Sequence, residues 1–121
     1  MNVSVRSISA AAAMLFALVG DGAANAASYD GLWQVIIITE AGGCDAAYSY
    51  PFRIAGGRIT SVGSFDVSGR VSGGGGVQVR ISAGGSVANG TGRLGGGSGS
   101  GRWTARLSGG NCSGRWQATR S

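Results

Sequence analysis

Residues 27–121 of this 121-residue chain hold four carboxylates: Asp30, Glu40, Asp45 and Asp66. Glu40 and Asp45 flank Gly42-Gly43, near enough in sequence to share a calcium ion or to work as the acid and base of a glycosidase. A hydrolase seats its acid in an enclosed apolar pocket, so two acids on a short glycine turn read more simply as the solubilising tip of a hairpin. The chain has no His and no Lys. Ser-His and Ser-Lys nucleophilic pairs therefore cannot be built, and general-base chemistry near neutral pH loses its usual agent. These absences lead to the expectation of a protein that is not an enzyme and holds no metal or other cofactor.

Two cysteines, Cys44 and Cys112, are the remaining reactive groups. Their partnership depends on the compartment. Residues 8–20 form an apolar run, broken only by Ser9, after a single cation, Arg6, and Ala24-Asn25-Ala26 supplies a small-residue cleavage site. That pattern is a secretory signal peptide over residues 1–26; a transmembrane anchor needs about 20 apolar residues, which leaves residues 27–121 without a membrane-spanning segment as one domain. The expected location is secreted or periplasmic, where two cysteines pair as a disulfide in preference to serving as a reactive or metal-binding pair. Closing that loop restricts the unfolded chain by about 4 kcal/mol on the entropic model.

Nine of the ten arginines follow the leader. Arg53, Arg70, Arg80, Arg102, Arg106 and Arg115 alternate with apolar residues, which places them on the solvent face of strands as a surface able to attract anions. Candidate partners outside the cytoplasm are lipopolysaccharide, acidic polysaccharide and anionic lipid, the anionic polymers of an envelope. Nucleic acid is disfavoured, because no aromatic series interleaves the arginines. Asn89-Gly-Thr and Asn111-Cys-Ser match the glycosylation sequon without deciding its use.

The elements that carry these residues are short. Apolar bursts begin near Trp33, Tyr48, Arg58, Phe65, Val77, Ser86, Gly101 and Cys112, separated by glycine-rich turns and lacking any helical period. They predict an all-β fold of eight antiparallel strands in an up-and-down meander. Tyr48, Tyr50 and Phe52 share one face; Phe65, Trp103 and Trp116 occupy the corresponding face of their strands. The first strand is apolar on both faces, as in a strand covered or paired more heavily than the rest. Gly-Arg followed by an apolar residue occurs at Gly57, Gly69, Gly92, Gly101 and Gly114, with glycine and the apolar residue on one face and arginine on the other. A glycine two residues from a Trp leaves room for its ring inside a small barrel. Pairing Cys44, between strands one and two, with Cys112, at the start of strand eight, requires the meander to curl shut.

Asp30-Gly31-Leu32-Trp33 resembles the G-x-W signature of calycin barrels, the group that includes lipocalins, avidins and small secreted bacterial metalloprotease inhibitors. The resemblance implies a Trp at one end of the barrel beneath an arginine from the last strand, and Arg120, sharing parity with Trp116 and Ala118, occupies the matching position. A chain shorter than a lipocalin with no helix after its strands stands nearer the avidin and inhibitor types. The functional expectation is a small secreted binding module for a small apolar ligand or a protein partner, protease inhibition being its most concrete form. The alternative is an envelope-associated structural protein whose basic exterior binds anionic surfaces. A binder requires unfilled space inside the barrel, and a structural protein requires a packed interior.

Overall fold

The computed structural model describes residues 29–121 apart from residue 64; the expected signal peptide lies outside the described residues. Eight strands follow in order: β1 Gly31–Ala41, β2 Ala47–Ala55, β3 Arg58–Ser61, β4 Asp66–Val71, β5 Gly76–Ala83, β6 Ser86–Gly95, β7 Ser98–Leu107 and β8 Gly110–Arg120. Each pairs antiparallel with its sequence neighbour, and β8 returns to β1, so the sheet closes into a barrel. Among the described residues there is no helix long and apolar enough to cross a membrane. Closure leaves every strand with two partners and no exposed edge.

Period-two alternation decides what lies inside. On β2, Phe52 and Ile54 are buried while Ser49, Pro51 and Arg53 are exposed; on β8, Cys112, Gly114, Trp116 and Ala118 are buried while Arg115, Gln117 and Thr119 face water. The turns at residues 56–57, 72–75 and 96–97, together with both ends of the described chain, gather at one end, which we term the floor. Trp33, Ile54, Ile59, Val71, Val77 and Leu94 pack there. The loops at 42–46, 62–65, 84–85 and 108–109 surround the other end, the mouth.

The two Gly-Arg-Trp segments explain each other. In the β7–β8 register Gly101 stands opposite Trp116, Trp103 opposite Gly114, and Arg102 opposite Arg115. Each indole thus lies across from the other copy's glycine. The room for Trp116 comes from Gly101 and from Gly92 on β6, where an added Cβ would overlap the ring, and not from the glycine two residues earlier on its own strand, as expected from the sequence. Gly114 has a different duty: a Cβ there would overlap the Ile38 carbonyl, because β1 and β8 approach closely beside a bulge between Thr39 and Ala41.

Two expectations need refinement. β1 is apolar on both faces and is paired at eight positions with each of β2 and β8, but it is not covered on the outside: Leu32 is 37% and Ile36 45% exposed. Phe65 lies just before β4 rather than within it, so its ring reaches the interior from the β3–β4 loop. The short segment from Arg58, too brief to assign by alternation, is a strand, paired with β2 at four positions and with β4 at two.

The floor is tied by Trp33 and Arg120, which are direct partners across β1 and β8. Trp33 is the largest fully buried side chain, 1% exposed, and its Nε1 donates to the Tyr29 carbonyl at 2.9 Å. The Arg120 guanidinium carbon lies 5.0 Å from the centre of the Trp33 ring, and its Nη2 donates to the Gly96 carbonyl at 3.0 Å. Arg120→Ala is expected to cost about 1–3 kcal/mol through loss of the cation–π contact and a charge-assisted hydrogen bond. Arg115→Ala, on the solvent side of the same strand, is expected to cost about 0–1 kcal/mol. Urea midpoints of the two variants check this, and equal losses would remove Arg120 from the floor's support.

The glycine assignment gives a second comparison. Gly101→Ala is expected to lose about 1–3 kcal/mol by overpacking against Trp116 and the Thr91 carbonyl. Gly97→Ala, where a Cβ meets nothing within 4 Å, is expected to be neutral or to gain up to about 1 kcal/mol from a stiffer unfolded chain. Thermal melts of the pair report the difference.

Candidate functional site

The mouth end of the barrel is not filled. An apolar cavity of about 290 Å³ runs from the loops down to Trp33. Tyr48, Tyr50, Phe52, Phe65, Trp103 and Trp116 all line it. Burial follows a gradient along the axis: Phe52, Trp103 and Trp116 are buried, whereas Tyr48, Tyr50 and Phe65 nearer the loops are half-exposed. The aliphatic part of the wall, including Val35, Ile37, Val79, Ile81 and Leu107, was not singled out as ligand-facing by sequence reasoning. Its signal was present in the alternation of β1, β5 and β7; the aromatic residues simply carried more volume per position.

Small residues account for the space. Ala88 on β6 and Ala105 on β7 are direct cross-strand partners, and both line the cavity. Gly90 adjoins them with Trp103 opposite. A wall of methyl groups and hydrogen atoms faces the aromatic wall of β2, and the gap between them is the cavity.

The rings are held in place by their polar ends. Trp103 Nε1 lies 3.1 Å from both the Ile38 and Arg115 carbonyls, and Trp116 Nε1 donates to the Thr91 carbonyl at 3.1 Å. With Trp33 also bonded to backbone, none of the three indole N–H groups is left for a guest. Tyr50 sits 6.1 Å from Tyr48 in a stacked pair and 5.2 Å from Phe65 edge-on, giving the mouth an aromatic rim. The Tyr48 hydroxyl accepts from the Asp45 N–H at 3.0 Å, which anchors the β1–β2 loop to that rim. Among the described residues no Asp, Glu or Arg lines the cavity. The uncharged polar residues along it are Tyr48, Tyr50, Ser86 and Asn89, the last with its side chain on the outer face of β6.

The disulfide joins the same loop to β8. Cys44 and Cys112 are bonded, with Cα atoms 6.2 Å apart, and Cys44 borders the cavity. Gly42 adopts φ +98° because the loop lies against Asn111 and Cys112, where a Cβ would collide with backbone. The mouth is therefore braced on one side by covalent and backbone contacts.

Outside the barrel, Arg53, Arg70, Arg80, Arg102, Arg106 and Arg115 are all exposed. They are not equivalent. Glu40, next to the bulge in β1, reaches over β8 so that Oε1 lies 3.0 Å from Arg102 Nη2 and Oε2 lies 3.4 Å from Arg115 Nε. Glu40 is thus a bridging carboxylate on the wall, not a charge on the hairpin tip, and it does not combine with Asp45. Among the described residues no group of three or more His, Cys, Asp or Glu side chains gathers where a metal ion could be held. Asp30 accepts from the Gly56 N–H at 3.0 Å, fastening the start of β1 to the floor turn between β2 and β3.

Comparison of the chain with known protein families, with curated proteins and with solved structures finds no match in any of the three.

Proposed function

We propose that this protein is a small extracytoplasmic binding module, without enzymatic activity, that holds a neutral apolar molecule inside its barrel. The observation that carries this reading is the unfilled cavity of about 290 Å³ beneath the aromatic rim. It is roughly twice the ~150 Å³ apolar void known to take up benzene, and close to the lower bound of ordinary ligand pockets. A two-ring or comparably sized alicyclic molecule fits that volume. Neutrality follows from the lining: a charged group would leave water for a wall with no ion to pair with, at a cost of several kcal/mol.

Other features agree. The disulfide suits an oxidising compartment, in keeping with a secreted or periplasmic location. The place of Trp33 beneath Arg120 agrees with the resemblance of Gly31-Leu32-Trp33 to the calycin motif. A barrel serving only as structure would gain stability by filling the space that Ala88 and Ala105 leave open.

Naphthalene is expected to change the fluorescence of the buried tryptophans saturably, whereas 2-naphthoate at neutral pH is expected to bind at least about tenfold more weakly. Ala105→Phe, which fills the void from β7, is expected to abolish the naphthalene response while keeping or raising the melting temperature. A saturable response unaffected by Ala105→Phe would move the binding elsewhere, and the absence of any response would refute the reading.

A further inference from the structure

The same cross-strand arginine pair occurs twice on the outside of this barrel. Arg102 on β7 stands opposite Arg115 on β8, and Arg58 on β3 stands opposite Arg70 on β4. Residues directly opposite in an antiparallel pair have Cβ atoms about 4.5–5.5 Å apart on one face, and like charges there destabilise. The first pair is resolved internally: the Glu40 carboxylate bridges both guanidinium groups, one through each oxygen. The second pair has no counterpart. The residues flanking it across the sheet are Ala55 on β2 and Gln78 on β5, and neither Arg58 nor Arg70 has an ion-pair partner among the described residues. Asp30 is engaged by the Gly56 N–H, and Asp66 lies four residues from Arg70 along β4, about 13 Å away.

The surroundings of the second pair form a shallow groove over the outer face of β3–β6. Its outward side chains include Thr60, Ser68, Gln78, Asn89 and Thr91, with Arg80 beside Ser68. Two features set this groove apart from the rest of the surface. The seam beneath it has the fewest paired positions in the barrel, two between β3 and β4, so the like-charge repulsion falls where the fold has least pairing to offset it. The groove also surrounds an unneutralised arginine pair with hydroxyl and amide groups, which hydrogen-bond to neutral polar oxygens.

We propose that the Arg58–Arg70 pair is a binding site for an external carboxylate carried on a sugar chain, that is, for an acidic polysaccharide of the uronate type. Glu40 on Arg102 and Arg115 is the internal pattern for the contact: one carboxylate, two arginines, one oxygen to each. Each guanidinium there gives a charge-assisted N–H bond to a carboxylate oxygen, the stronger class of hydrogen bond. The threonine, serine, asparagine and glutamine side chains around it supply partners for sugar hydroxyls. Arg80 is one strand from Arg70 and extends the positive track beyond the pair, so that a second uronate along the chain also meets a guanidinium. The site is on the barrel's outer wall and is independent of what the interior holds.

Binding of a galacturonic acid oligomer, a neutral glucan of equal length and phosphatidylglycerol vesicles is measured by calorimetry at about 0.15 M salt, where diffuse charge attraction is screened. The uronate oligomer is expected to bind and the glucan not. The double variant Arg58→Gln/Arg70→Gln is expected to weaken uronate binding at least about tenfold, while Arg93→Gln/Arg106→Gln, with the same change in net charge, changes it less than about threefold. The urea midpoint of Arg58→Gln/Arg70→Gln is expected to stay level or rise, since a repulsion is removed. As a readout that needs no variant, the Nε–H resonances of Arg58 and Arg70 should shift in the unaltered protein on titration with the oligomer, and that of Arg106 should not. Equal weakening by both double variants, no uronate binding, shifts spread evenly over the arginines, or vesicles bound more tightly than the oligomer would each overturn the proposal.

Discussion

Three indoles share the inside of a barrel only eight strands wide, and they fit because the wall facing them has no side chains. Trp116 is received by Gly92 and Gly101, and Trp103 faces Gly90 on one side and Gly114 on the other. A methyl group at Gly92 or Gly101 would meet both Trp116 and the backbone of the neighbouring strand, so the residue type at these positions sets the spacing of β6, β7 and β8. Close backbone approach in turn brings carbonyl oxygens within reach of the indole N–H groups, and each indole is satisfied by main chain. The polar end of every Trp is thereby removed from the interior, and an apolar cavity becomes possible with no unpaired indole donor facing it.

The same complementarity fails towards the mouth. At the floor the inward residues are Ile, Leu, Val and Trp, large enough to meet across the axis, and Arg120 closes the end over Trp33. Nearer the loops β6 and β7 contribute Ala88 and Ala105, too small to reach the tyrosines of β2. Volume is lost at positions that leave strand geometry untouched. The disulfide stands at this less-packed end, where a covalent link between the β1–β2 loop and β8 replaces contacts that the core does not supply there.

Interior and exterior are electrostatically separate. The cavity wall holds no formal charge, whereas the outer faces of β2–β8 carry arginine on strand after strand. Hydrogen-bond register then divides arginines that look alike in the sequence. Arg102 and Arg115 share Glu40 beside a bulge at the end of β1; Arg58 and Arg70 meet on a seam that no carboxylate among the described residues reaches. Surface charge here is thus a matter of pairing more than of count.

Much of the architecture was legible from the residues alone. Strict alternation in Tyr48–Ile54, Val77–Ile81 and Trp103–Leu107 specifies which face is buried, since a one-residue slip would expose every aromatic ring, and the short glycine-rich connections between the bursts make neighbouring strands antiparallel. Two cysteines at the ends of the meander imply its closure, and parity puts Arg120 on the inner face and the other strand arginines outside. Alternation says nothing, however, about who stands opposite whom. The reciprocal Gly–Trp pairing of β7 and β8, the bridging place of Glu40 and the exposed outer face of β1 are properties of register and neighbour identity, fixed only when all eight strands pair. The cavity is likewise a tertiary quantity. Seven inward aromatic residues are enough to fill a barrel of this size or to leave part of it empty, and the outcome rests on Ala88 facing Ala105 across β6 and β7, a juxtaposition that no single strand contains.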